Sequence, residues 1–183
     1  MKAGKIIRTF HCRDGRRVVL RTPKWEDLDD LLETINSLVD ERANIVLNKR
    51  VTREAEIDWL AGALSRLERD EVIYVVAEVD GKVVANSELR RRQSGCDKHV
   101  GSIGIAIKRG FRDVGIGTEM MKALIEQGRA MGLKVLTLSA FENNKQAIHV
   151  YEKVEFKQTG LIPRKFFKKG KYVNEVIMTM LLE

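Results

Sequence analysis

The pattern of apolar positions changes period several times along the chain, and each change marks the edge of an element. In KIIRTFHCRDGRRVVLRT, apolar runs flank Asp14-Gly15, which predicts an N-terminal hairpin over residues 5–21. In TPKWEDLDDLLETINSLVDE, Leu28, Leu31, Leu32, Ile35 and Leu38 recur at helical spacing behind a Thr-Pro start with acids in the first turn. A second helix is expected from Thr52 to about Glu68, with Ile57, Leu60, Leu64 and Leu67 on one face. VIYVVAEVDGKVVANSEL then gives the strongest hairpin signal, two β-branched runs joined by Asp80-Gly81. Its first arm is apolar on both faces, as a central strand would be. Val100 to Ile107 reads as a further strand, Gly117 to about Met131 as a helix with Met121, Leu124 and Ile125 inward, and KVLTLSA as a strand. A short helix from about Lys145 to Lys153 leads to FKQTG, and YVNEVIMTML closes the chain as a last strand. The order β-β-α-α-β-β-β-α-β-α-β-β predicts a mixed α/β sheet with helices on its faces.

Length leaves room for one core. The 183 residues contain no repeat, no low-complexity tract and only Pro23 and Pro163, so a single soluble domain over 1–183 is expected. No stretch approaches the roughly 18 apolar residues of a membrane span, and the N-terminus meets charge before a signal-type block could form. A cytoplasmic protein with no membrane partner is the expectation. Cys12 and Cys96 lie far apart, and His11, His99 and His149 are scattered, so neither a metal site nor a disulfide is expected.

Charge narrows the partner. The formal net charge is +7, with basic runs at Arg90 to Arg92, Lys108 to Arg112 and Arg164 to Lys171. An anionic partner fits better than a cationic one, but nucleic acid, an anionic cofactor and plain solubility all fit.

GFRDVGIGTEMMKALIEQG, at residues 110–128, looks like half of a nucleotide-binding motif. A dinucleotide fingerprint would need a third glycine where Met120 stands, and a phosphate loop of the Walker type would need a lysine that GIGTEM lacks. What remains is a strand, a turn with Arg112, and Gly115 and Gly117, whose missing side chains let backbone N–H groups at a helix start approach an anion. That describes a pyrophosphate cradle without machinery for phosphoryl transfer.

A second motif follows. ENNKQAIHVYEKVEF places Asn144, Ala147, Tyr151 and Phe156 around the short helix. The pairing of Arg112-x-x-Gly115-x-Gly117 with Asn144-x-x-Ala147-x-x-x-Tyr151 resembles the GNAT superfamily of N-acetyltransferases, over about residues 15 to 182. One departure is Glu155-Phe156, where the family usually has Gly-Phe. The resemblance implies a single-domain fold with a central, mixed, mostly antiparallel twisted sheet flanked by helices. It implies acetyl-CoA as cosubstrate, with its pyrophosphate on the amides of Arg112, Asp113, Val114, Gly115, Ile116, Gly117 and Thr118. Its pantetheine would run as a pseudo-strand beside Ile105, Ala106 and Ile107, with Asn144 and Ala147 nearby. Tyr151 is implied as the proton donor to the departing sulfur.

An attacking primary amine near pKa ~10 must lose a proton, and Glu88 is the candidate base. Neither cysteine lies in a setting that would make it an acetyl carrier, so direct transfer in a ternary complex is expected. The acceptor is less constrained. A peptide or protein amine ranks first and a small amine or polyamine second, with a non-catalytic CoA sensor as the alternative from another class. A polycation would want an acidic pocket, for which WEDLDDLLE supplies acids. Nucleic acid is not expected as the primary partner, and a homodimer is left open.

Overall fold

The computed structural model describes residues 1–182. The elements are β1 (Ile6–His11), β2 (Arg17–Arg21), a 3-10 turn (Trp25–Asp27), α1 (Leu28–Asp40), α2 (Arg53–Glu68), β3 (Val72–Val79), β4 (Lys82–Arg91), β5 (Val100–Ile107), α3 (Ile116–Ala130), β6 (Val135–Phe141), α4 (Lys145–Lys153), β7 (Lys157–Lys168) and β8 (Lys171–Leu181). This is the order predicted from the apolar pattern. The strands form one eight-stranded sheet in the order β1-β2-β3-β4-β5-β6-β8-β7. Only β5 and β6 run parallel, joined through the crossover helix α3; every other neighbouring pair is antiparallel.

β3 is central and covered on both faces. Ile73, Val75 and Ala77 face α3, whose Met120, Met121 and Leu124 are fully buried against them, together with Leu89, Ile103 and Phe156. Val76 and Val83 face the other way, against Leu28 and Leu31 of α1 and Leu60 of α2. The β3–β4 turn takes positive φ at both Asp80 and Gly81, the twist-matched geometry of a two-residue hairpin.

α1 is anchored at its start by a buried ion pair. Arg21 grips Asp27 in a bidentate contact, 2.7 Å on each arm, and its Nε donates to Glu78 at 2.8 Å. Asp27 also accepts from the Lys24 N–H. α2 is capped by Thr52, whose hydroxyl accepts from the Ala55 N–H.

β7 departs from expectation in its length. It runs past FKQTG through Pro163 to Lys168 and carries the basic run into a long hairpin with β8. Pro163 is tolerated because β7 is the edge strand and its register shifts between Ile162 and Phe166. No helix among the described residues is long and apolar enough to cross a membrane.

Candidate active site

The sheet opens between β5 and β6. β5 pairs with β4 from Gly101 through Ile107, yet with β6 only at Val100, Gly101 and Ser102. β6 diverges beyond that point, staying with β8 as far as Phe141. Gly104 is consequently exposed, and Ile105, Ala106 and Ile107 are half-buried, in the middle of an eight-stranded sheet. Backbone groups of this segment that point away from β4 have no strand partner. A linear chain with amide groups of its own fits that edge.

At the open end of the gap lies the loop that enters α3. Gly115 caps the helix with φ +103°, a conformation that favours glycine, and supplies no capping side chain. Among the described residues, no acceptor meets the N–H groups of Arg112, Asp113, Val114, Gly115, Ile116, Gly117 or Thr118. A Cβ on Gly117 would lie 3.2 Å from Ile107 Cδ1 and 3.8 Å from Val150 Cγ1, so any larger residue would crowd the space between the end of β5 and α4. Unpartnered donors at the positive end of a helix suit an anion, and the glycine opening lets it come close. The loop is held from outside: Arg13 N–H donates to the Val114 carbonyl at 3.0 Å, and Gln146 of α4 to Asp113 at 3.0 Å.

The Arg112 side chain turns back onto the protein. Its Nε donates to the Ile107 carbonyl at 2.8 Å, and its outer nitrogen is paired with the Glu41 carboxylate just past α1. The guanidinium thus ties the end of β5 to the end of α1, beside a loop whose N–H groups are unpartnered. Nothing in the sequence spacing signalled Glu41.

α4 brings the second motif to the same opening. Asn144 is its N-cap, the side chain accepting from the Ala147 N–H at 3.3 Å, with Ala147 half-buried against the core. Tyr151 is 7% exposed and its hydroxyl has no hydrogen-bond partner among the described residues. Burial pushes its pKa up to about 12, so the hydroxyl stays protonated at neutral pH. Glu155 accommodates the departure from Gly-Phe by adopting φ +73°, and the Phe156 N–H still closes onto the Tyr151 carbonyl at 3.0 Å.

Glu88 sits on β4 directly across from Gly104, on the face that α1 and α2 cover. Its half-buried carboxylate lies 3.1 Å from Arg90 Nη2. Two positions before it, Asn86 pairs in register with Ala106, and its Oδ1 is buried without a hydrogen-bond donor among the described residues. The period-two pattern of β4 places Asn86 and Glu88 on one face, a signal the sequence carried and the reading passed over. Ser87, between them, is turned to the other face and donates to the Val75 carbonyl.

A cavity of about 220 Å³ flanks this opening, between the segment after α1 and the tip of the β7–β8 hairpin. Val39, Arg42, Leu47, Asn48, Phe167, Lys168 and Lys169 line it. The acids of α1 do not reach it as free charges. Asp27 is held by Arg21, Asp29 by Arg53, Asp30 by Lys82 and the Val83 N–H, and Glu33 by Lys108. Every acid of WEDLDDLLE except Glu26 is thus paired with a cation from elsewhere in the chain.

The profile of the acetyltransferase (GNAT) family matches residues 25–156. The chain belongs to that family. Escherichia coli L-amino acid N-acetyltransferase AaaT is 27% identical over 112 residues, covering 61% of this chain and 69% of that one. Among solved structures, a GNAT superfamily phosphinothricin acetyltransferase from Sinorhizobium meliloti, in complex with acetyl-CoA, superposes with a TM-score of 0.80 at 19% identity, covering 90% of this chain and 88% of that one. A ribosomal-protein-alanine N-acetyltransferase from Brucella melitensis superposes with a TM-score of 0.79 at 24% identity, covering 89% and 99%. This GNAT chain is an N-acetyltransferase, and acetyl-CoA is its cosubstrate.

Proposed function

We propose that this GNAT enzyme acetylates a primary amine by direct transfer within a ternary complex, in the cytoplasm. The observation that carries the reading is the half-paired β5: an eight-stranded sheet leaves Ile105 to Ile107 without a partner strand, beside a row of unpartnered loop amides. The cosubstrate supplies the acetyl group as a thioester. The amides from Arg112 to Thr118 hold its diphosphate, and the free edge of Ile105 to Ile107 holds the amide-bearing arm. N–H groups on that edge also polarise the thioester carbonyl. Asn144 and Ala147 set the start of α4 against the same opening. Glu88 takes a proton from the amine, directly or through water, and Tyr151 returns one to the departing sulfur.

Neither thiol is placed to carry the acetyl group. Cys12 is buried and its pKa is raised, by burial first and by Asp14 second. Cys96 is exposed in the turn between β4 and β5. The experiment is an initial-rate study of wild type and a Cys12→Ala/Cys96→Ala double variant. Intersecting plots and retained activity are expected; parallel plots, or acetyl-cysteine trapped without acceptor, would overturn direct transfer. Glu88→Gln should lower kcat by about 10²-fold or more with little change in acetyl-CoA KM. Unchanged turnover would take Glu88 out of the reaction.

For the acceptor, a peptide or protein amine was the first expectation. The small cavity favours the second, a small amine, and the relative named for L-amino acids points the same way. A CoA sensor without chemistry is separated from both by thiol release in the presence of amines.

A further inference from the structure

We propose that the cavity between the end of α1 and the β7–β8 tip is an anion subsite for the acceptor, which makes the substrate a small primary amine carrying a compact oxyanion. The inference rests on the acetyl-transfer reading for the fate of the amine, but not for the existence of the subsite.

The argument starts from uncompensated charge. Arg42, Lys168 and Lys169 line the cavity, and no carboxylate does. Among the described residues, none of the three takes part in an ion pair, nor do Arg164, Lys165 and Lys171 on the same hairpin. Two cations nearer the loop are paired, Arg112 with Glu41 and Lys108 with Glu33. The cavity instead gathers three cations with no carboxylate among its lining residues.

Lys168 is the most telling. It is half-buried, its ammonium donates to the Ile45 carbonyl at 2.5 Å, and it lies 5.6 Å from the centre of the Phe141 ring. Both partners are uncharged, and partial burial beside Lys169 lowers its pKa. A bound anion would reverse that penalty.

The cavity's walls are fixed from both sides. Phe166 stacks on Phe141 at 3.9 Å between centroids, which seats the hairpin on the end of β6. Arg42 projects from a backbone at φ +52°, its N–H bonded to the Val39 carbonyl. The same α1 end is tied through Glu41 and Arg112 to the Ile107 carbonyl. That bridge links the α1 end of the cavity to the end of β5, and on this proposal the acceptor's amine reaches past it toward the open edge. Val39, Leu47 and Phe167 supply apolar walls for the body of such a molecule. About 220 Å³ has room for a group of amino-acid size.

The test compares L-methionine, 1-aminoethylphosphonate, L-methioninamide and putrescine, both by thiol release and by calorimetry on the CoA-saturated protein. The carboxylate or the phosphonate should bind about 10- to 100-fold more tightly than the amide, and putrescine more weakly still. Whichever acid prevails identifies the oxyanion. Lys168→Met and Arg42→Asn, the latter compatible with a left-handed backbone, should each reduce the preference about 10-fold through KM with little change in kcat. Lys168→Arg should retain most of it. Equal binding of acid and amide, or a preference that survives both variants, would overturn the subsite. Thiol release from no amine at all would overturn the transfer reading, and the calorimetric comparison would still decide the subsite.

Discussion

The two sides of the cleft are made of different material. The side proposed for the cofactor is backbone: consecutive amides from Arg112 to Thr118 and one unpaired edge of β5. The side proposed for the acceptor is side chain, with Arg42 contributed from beyond α1, Lys168 and Lys169 from the far end of the chain, and Glu88 from β4. A backbone cradle demands glycines at fixed spacing and a helix that starts in the right place, so it leaves a mark in the sequence. A pocket assembled from side chains of distant segments needs only that those segments meet, and its composition can drift without disturbing the fold. The difference explains how one cosubstrate can be shared by relatives named for quite different acceptors.

The sharpest way to break the comparison is to find a side chain that matters greatly on the backbone side. Tyr151→Phe removes one hydroxyl, and turnover should fall by about 10- to 1,000-fold while acetyl-CoA affinity, measured by calorimetry, barely moves. The pH profile checks the same group. With its pKa raised to about 12, Tyr151 should contribute no descending limb to kcat below about pH 10. The linked stability has a definite sign: above the unfolded value near 10 the unfolded state loses its proton first, so stability falls as pH rises from about 10 toward 12.

Gly117→Val attacks the cradle itself. The added methyls must displace Ile107 Cδ1 or Val150, and acetyl-CoA affinity should drop about 10- to 100-fold with the circular dichroism melt little changed. Unaltered affinity in a folded variant would remove the loop from the cofactor site.

Glu41→Gln sharpens the boundary between the sides, because Glu41 belongs to the α1 end yet holds Arg112. The pair is partly exposed, so the expected effect is a 2- to 5-fold rise in acetyl-CoA KM, visible in initial rates at low salt and fading at high salt.

The smallest change concerns the turn after α4. Glu155 stands at φ +73°, where an L side chain is strained, and Glu155→Gly should raise stability by up to about 1 kcal/mol, a few degrees in Tm, with kinetics unaffected. A lower Tm would show that the side chain makes up for its backbone.

How much was legible follows the same division. The apolar period located every strand and helix in order, and α4 begins and ends at Lys145 and Lys153 as read, because β-branched runs, Asp-Gly turns and an asparagine cap are local signals. The glycine loop at the start of α3 was legible for the same reason. Arg112 was legible as a residue but not as a contact: whether a long guanidinium turns to a ligand or back to Ile107 and Glu41 is settled by packing that spacing does not encode. The acids of WEDLDDLLE suggested a cationic guest, yet four of the five are paired with Arg21, Arg53, Lys82 and Lys108 from elsewhere in the chain. The length of β7 was hidden by Pro163, a residue that ends a strand in a sheet interior and is harmless on an edge.

The brief contact between β5 and β6 also bears on how the fold opens and closes. Strands β1 to β5 and strands β6 to β8 share only the register pairs at Val100, Gly101 and Ser102, with α3 and α4 packed across the divide. Each half is a candidate cooperative unit, and the seam between them is the place for opening short of global unfolding. Amide hydrogens on the free edge of Ile105 to Ile107 should exchange with solvent quickly in the free enzyme and slow sharply once acetyl-CoA is bound. The cosubstrate then serves as the missing rung of the ladder, joining two semi-independent halves into one unit that melts together.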